Sequence, residues 1–347
     1  MRVRLPRSSA ARAALVLPLL VVAFALLWWR GPEWEPVLDA FRIVSWVWLA
    51  GALGLNLASV VVRALAWRTV ISQALPHPHP AFPRIFSAFS VGLLANAVLP
   101  GRIGELARVA VLRRRLPPSS GMGATLLGTV FAHRVFDLVP ALLLTAYVLV
   151  TARIPHWAVT SVVLVAGIGV VLFVFALVGA RMRPAPPEQL GAVRRLISMG
   201  RRGLGVMKAP LAAVAAIVLQ CGGWFLQLLA VYVAMRAFDI HAPLPAAALV
   251  LLLMNVATVF PLWPGNIGLL QAAVAIPLVS YGVDYPRGFA YGLGLQVLEM
   301  SVGVGVGLLF LAREGLSFAT LRRIEEEEKD VEEEPQAVER EPAGVGV

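Results

Sequence analysis

The sequence predicts an all-α polytopic integral membrane protein, with six full spans and two broken, re-entrant helix pairs arranged as an inverted repeat. Three observations carry that prediction. The 347 residues are 59% hydrophobic and only 14% charged, with a mean hydropathy of +0.79. The apolar residues come in blocks, a pattern foreign to soluble domains of this length. The segment LPGRIGEL, Leu99 to Leu106, returns as WPGNIGLL, Trp263 to Leu270, with Pro, Gly, Ile, Gly and Leu each displaced by 164 residues. Basic side chains, finally, crowd one set of span ends.

A hydrocarbon core of about 30 Å needs roughly 20 apolar residues as helix. Full spans fall at 13–29, 43–62, 122–150, 157–179, 210–235 and 288–312. Arg2, Arg4, Arg7 and Arg12 precede the first of these. It reads as an uncleaved signal-anchor, because further spans follow and Trp28 and Trp29 suit an interfacial belt. The regions 85–112 and 245–282 are apolar but broken at Pro100-Gly101 and Pro264-Gly265. Each reads as two short helices that enter and leave on one side. For the second, two complete crossings, 245–262 and 266–282, are the alternative, with the same topology downstream.

With the N-terminus inside, cytoplasmic segments hold 22 bases and external segments five, namely Arg30, Arg42, Arg153, Arg236 and Arg287. That asymmetry sets the orientation and puts both termini in the cytoplasm. Residues 1–150 form a first membrane repeat and 157–312 a second, joined through the fourth span and a basic cytoplasmic loop within 151–208. Each half crosses three times, an odd number, so the second is inserted upside down. The stretch 313–347, dense in acids from Glu325 onward, reads as a disordered tail. The expected location is the bacterial cytoplasmic membrane.

Interrupted helices in corresponding positions of two halves point to a binding site. In the stretch Asn96 to Arg108, NAVLPGRIGELAR, Pro100 breaks the helix while Gly101 and Gly104 let the backbone turn and pack closely. Glu105 and Arg108 share a helix face at i, i+3. Arg102 adds a cation near the helix start, a setting that suits phosphate. Arg134 and Asp137 lie near the middle of the span 122–150, where a charge is costly and usually functional. Either they pair with each other, or Arg134 reaches Glu105 and leaves Asp137 to a substrate or proton; adjacent His133 reads as packing. Glu299 lies 31 residues beyond Gly268, as Arg134 lies 30 beyond Gly104. It has no local base, so it is either protonated or met by an Arg of the other half. The second break replaces charges with neutral groups: Pro264, Gly265, Asn266, Gly268 and Gln271.

Other chemistry is disfavoured. Cys221 is the single cysteine, so neither an internal disulfide nor a thiolate metal site is expected. The His77 and His79 run between prolines reads as a stiff loop. No nucleotide loop, nucleophile-base set or metal-ligand cluster stands out, and no cofactor is expected. The bases flank apolar spans, so nucleic acid is not the expected partner.

The string Asn96-x-x-Leu99-Pro100-Gly101-Arg102-x-Gly104-Glu105-x-x-Arg108, then Arg134-x-x-Asp137, then Pro264-Gly265-Asn266-Ile267-Gly268 resembles the lysylphosphatidylglycerol synthase transmembrane-domain family, the flippase-like domain proteins. The resemblance covers about residues 10–315 and implies movement of polar lipids between leaflets. Some members carry a soluble aminoacyl-transferase domain; only 35 residues follow the last span here, which implies a stand-alone member. Where many members have an acid after the second Gly motif, this chain has Gln271. The expected partners are membrane lipids, an anionic phospholipid or a polyprenyl-linked lipid, and a lipid-synthesis enzyme. The alternatives are a membrane-embedded transferase using Glu105 or Asp137 as base, and a non-transporting partner of a lipid synthase.

Overall fold

The structure, a computed structural model, describes residues 33–75, 79–98, 104–117, 122–153, 209–259 and 266–313, with isolated positions at 159, 160, 167, 170, 171, 174 and 315. The predicted span at 13–29, most of that at 157–179, the basic loop and the acidic tail lie outside the described residues. So do Pro100, Gly101, Arg102, Pro264 and Gly265.

Among the described residues every regular element is a helix. They are α1 Trp34–Arg42, α2 Trp46–Ala74, α3 Phe82–Val98, α4 Gly104–Arg114, α5 Met122–Thr151, α6 Pro210–Ala237, α7 Leu244–Val259, α8 Leu269–Val279 and α9 Tyr285–Arg313. Four of these, α2, α5, α6 and α9, are long and apolar enough to cross a membrane. Three match predicted spans within three residues at each end. The fourth, α2, runs twelve residues beyond its expected end at 62. Arg63, expected as a cytoplasmic flank, therefore sits inside a membrane helix.

Helices α3, α4, α7 and α8 have 17, 11, 16 and 11 residues. At about 1.5 Å per residue none reaches 30 Å. Among the described residues the 245–282 region holds two short helices, α7 and α8. Both pairs are hairpins of the kind that membranes tolerate only where the broken backbone is covered by protein or lines a cavity.

The helices recur in order. α6, α7, α8 and α9 begin 164, 162, 165 and 163 residues after α2, α3, α4 and α5. Packing recurs as well. α3 lies on α9 as α7 lies on α5; α4 lies on α5 as α8 lies on α9. The two sets meet along α2 and α6. Gly51 lies against Val233 and Val62 against Gly222, so these helices are antiparallel. At their crossing the Ser59 hydroxyl donates to the Gly223 carbonyl at 2.8 Å. Those two positions are themselves 164 residues apart. A residue that touches its own counterpart lies on the axis relating the halves, and for antiparallel spanning helices that axis lies in the membrane plane.

Association inside a bilayer depends on close packing rather than on escape from water. The chain uses small residues for it. Gly288 and Gly292 of α9 rest on Ala275 and Gln271 of α8, and Gly307 rests on Ser90 and Leu94 of α3. One buried apolar cluster centres on α6 to α9, and a second on α2 to α5 with the end of α9.

Candidate functional site

The first hairpin owes its shape to Gly104. A Cβ there would collide with the Gly92 carbonyl and the Asn96 side chain, so only glycine lets α3 and α4 approach this closely. The Gly104 N–H, orphaned as the first of α4, donates to Asn96 Oδ1 at 2.9 Å. The second hairpin solves the same problem within its own helix. The Gly268 N–H donates to Gln271 Oε1 at 2.6 Å, with Gly268 at φ 92. Asn266, at φ 46, donates from Nδ2 to the Ala257 carbonyl at 2.9 Å. Buried Gln271 also donates to Gln296 Oε1 at 2.5 Å. Neutral amides thus serve the described side of the second break, from Asn266 to Gln271.

Capping of α4 by Asn96 places Glu105 in the first helical turn, near the positive end of the helix dipole, and Arg108 one turn on. The Arg108 guanidinium, 4% exposed, pairs with Glu105. It also stacks over the Trp67 ring of α2 at 4.8 Å and the Phe89 ring of α3 at 5.6 Å. A flat, weakly hydrated cation suits such a slot better than an ammonium would. Arg134, on α5 and half-exposed along the cleft, pairs with Glu105 through Nη2. Its Nη1 lies 3.2 Å from Asp137 Oδ2. Arg134 therefore makes both contacts, to Asp137 and to Glu105.

Asp137 is not left to a substrate, contrary to one of the two sequence expectations. Its Oδ1 accepts from Gln220 Nε2 at 2.5 Å and Trp224 Nε1 at 3.0 Å, both on α6. A longer contact, 3.5 Å, reaches Arg63 Nη2 on α2. A carboxylate this deep persists only when paired and hydrogen-bonded, and α6, from the other half, supplies the neutral donors. His133, expected as packing, also ties two helices. Its Nε2–H donates to the Arg63 carbonyl at 3.2 Å and its ring meets Phe89 edge-on.

The result is one chain of charge, Arg108–Glu105–Arg134–Asp137–Arg63. It holds three guanidinium groups and two carboxylates, an excess of one positive charge among the described residues. Arg63 Nε, Arg108 Nε and Gln220 Oε1 are buried with no hydrogen-bond partner, which is rare for buried polar atoms unless something else meets them. The cleft beside them, bordered by Arg63, Asn96, Glu105, Arg108 and Arg134, has a volume of about 30 Å³. That admits about one water and no phosphate. A larger cavity, about 360 Å³, lies by Ser45, Trp48, Arg236 and His241, at the N-terminus of α2 and the C-terminus of α6.

Glu299 lies apart from this chain. Its Oε1 accepts from Gln227 Nε2 of α6 at 3.3 Å, and no Arg forms an ion pair with it among the described residues. Phe86 meets Phe310 and Gly307 meets Leu94; continuing that antiparallel register puts Glu299 level with Val98, where α3 ends.

Sequence reasoning missed Arg63, Gln220, Trp224 and Gln227. A signal existed. Asn56, Ser59 and Arg63 mark one face of α2 at i, i+3, i+7, and adding 164 gives Gln220, Gly223 and Gln227. Two apolar helices thus carry stripes in matching register, polar apart from the glycine at the crossing.

No solved structure matches the chain. A UPF0104 membrane protein of Methanocaldococcus jannaschii is 25% identical over 205 residues, 57% of this chain and 84% of its own length. One of Methanothermobacter thermautotrophicus is 24% identical over 313 residues, 84% of this chain and 90% of its own. A third, of Pyrococcus horikoshii, is 24% identical over 160 residues, 46% of this chain and 45% of its own. Their names give no substrate. The family described as the lysylphosphatidylglycerol synthase TM region matches residues 15–323, and with its helices and paired breaks the chain is a multi-pass membrane protein that belongs to that family.

Proposed function

We propose that this protein moves a phosphate-bearing polar lipid between membrane leaflets, in the manner of a flippase. The observation that carries the reading is the charge excess at membrane depth. Three guanidinium groups face two carboxylates, and buried Nε atoms of Arg63 and Arg108 have no hydrogen-bond partner. A desolvated excess cation is costly, and an anion that enters the cleft relieves the cost. Arg guanidinium forks match phosphate oxygens, and Arg134 is the one half-exposed along the cleft. An anionic phospholipid or a polyprenyl-linked phosphate meets that chemistry, with its tails left in the bilayer.

In this reading Asn96, Arg102, Arg108 and Arg134 engage the headgroup, and Glu105 and Asp137 hold the cations in place. The breaks at Pro100-Gly101 and Pro264-Gly265, with Gly104, Asn266, Gly268 and Gln271, let the two hairpins open from opposite faces. The halves 1–150 and 157–312 rock about the α2–α6 crossing. The cavity beside Arg236 and Trp48 serves as the resting place at the external surface. The host is a bacterial cytoplasmic membrane with both termini inside, and a lipid-synthesis enzyme supplies the lipid. A transferase would need Glu105 or Asp137 as a base. Both are engaged by guanidinium groups, which favours transport.

The test is a proteoliposome assay of headgroup accessibility with fluorescently labelled phosphatidylglycerol. Wild type is expected to equilibrate the leaflets, and Glu105→Gln, Arg134→Ala and Asp137→Asn to slow it. Movement that all three variants leave unchanged would contradict the assignment.

A further inference from the structure

The two halves differ at one matched pair of positions. Arg63 of α2 reaches toward the carboxylate of Asp137. Its counterpart 164 residues later, Gln227 of α6, reaches toward the carboxylate of Glu299. One membrane-embedded acid has a cation beside it, and the other has a neutral amide at 3.3 Å. A carboxyl group in that second setting is most stable as the neutral acid, which accepts from Gln227 Nε2 and donates its own O–H.

Among the described residues the groups that face Glu299 are few. Gln227 comes from α6, and the Arg63 stem of α2 lies against Gly223, one helical turn before Gln227. On α9 itself, Tyr291 is committed as a donor to the Val231 carbonyl at 2.7 Å, and Gln296 accepts from Gln271 of α8. The α3 residue level with Glu299 is Val98, and Arg84 lies at the opposite end of that helix. α1 meets α9 at Trp34 and Phe289, ten residues away. Arg63 thus lies beside Asp137 and one helical turn of α6 from the amide that meets Glu299.

From this juxtaposition we infer that Glu299 is a proton site, and that an anionic headgroup binds the Arg cluster together with one proton on Glu299. The inference rests on the reading of the cluster as a headgroup site. With Glu299 neutral, the excess of one positive charge matches one phosphodiester. With Glu299 ionised, three carboxylates stand against three guanidinium groups, the sum falls to zero and the anion is released. The proton comes from water at the open face, converts the carboxylate to the acid, and leaves with the lipid. Each ligand raises the affinity of the other by the same factor.

The experiment titrates the full chain in detergent with dioctanoyl phosphatidylglycerol from pH 5 to pH 9. Wild-type affinity is expected to fall about tenfold per pH unit once Glu299 ionises, the slope that uptake of one proton requires. Glu299→Gln, a fixed neutral group, is expected to hold the low-pH affinity throughout. Gln227→Arg gives Glu299 its own cation and is expected to be equally flat. A flat wild type, or an unchanged slope in both variants, would overturn the inference. So would a slope lost in His133→Gln and kept in Glu299→Gln. The infrared spectrum of wild type is expected to contain a protonated-carboxyl band that Glu299→Gln lacks. Should the lipid fail to bind at any pH, the headgroup reading fails by itself, and absence of that band would separately overturn the proton site.

Discussion

Asp137 offers the sharpest stability prediction because one side chain ties three helices. Its carboxylate accepts from Gln220 and Trp224 of α6 and lies beside Arg134 of α5 and Arg63 of α2. Asp137→Ala leaves two guanidinium groups short of a counter-charge at membrane depth. Removing one partner of a buried ion pair costs about 3–5 kcal/mol. Each neutral donor left unmade adds at most about 1–3 kcal/mol, and less where water fills the gap. The expected loss is therefore at least about 3–5 kcal/mol, dominated by charge. The Gln220 contact is separable in a double-mutant cycle, by equilibrium unfolding in mixed micelles. Neutral hydrogen bonds in membrane proteins average about 0.6 kcal/mol in such cycles, and a charge-assisted one is roughly twice as strong. Coupling between Asp137→Ala and Gln220→Ala should thus reach about 1 kcal/mol. A coupling near zero, or an Asp137→Ala loss under about 1 kcal/mol, would refute the claim that this carboxylate joins the halves.

Three further outcomes follow from the same geometry. Glu105→Gln strips both Arg108 and Arg134 of a carboxylate, so unfolding should show a loss of about 3–5 kcal/mol, with Arg108→Ala restoring part of it. Gly104→Ala drives a methyl into the Gly92 carbonyl and Asn96; it should cost about 1–3 kcal/mol, read as a lower Tm. In a Cys221→Ala background, Val62→Cys with Gly222→Cys should form an intramolecular disulfide, scored by free-thiol counting. A background pair at Val62 and Val233 should not, and equal yields would contradict the antiparallel crossing.

Much of the fold was legible because hydropathy blocks map directly onto spans: 122–150, 210–235 and 288–312 all reappear within three residues. The Glu105, Arg108, Arg134 and Asp137 group was legible for a second reason, since charges in apolar helices announce themselves. What hydropathy obscured was α2. Arg63 and Arg68 end an apolar block, so they read as flanks, yet the helix continues to Ala74 and Arg63 turns inward. The donors to Asp137 were hidden differently. Gln220 and Trp224 lie 83 and 87 residues away, and no periodicity within α5 encodes a contact with α6. The 164-residue offset, applied beyond the Pro-Gly motif to the stripe Asn56-Ser59-Arg63, points to Gln220 but not to Trp224. The neutral partner of Glu299 was missed because an amide carries no charge signal.

The central claim is that the Arg108–Glu105–Arg134–Asp137–Arg63 chain holds an anionic lipid headgroup. Native mass spectrometry of the full chain released from gentle detergent addresses it most directly. Wild type is expected to retain a phosphate-bearing lipid that is lost from Arg108→Gln and Arg134→Gln together. Retention of only neutral lipids, or equal retention of the phosphate-bearing lipid by that double variant, would contradict it.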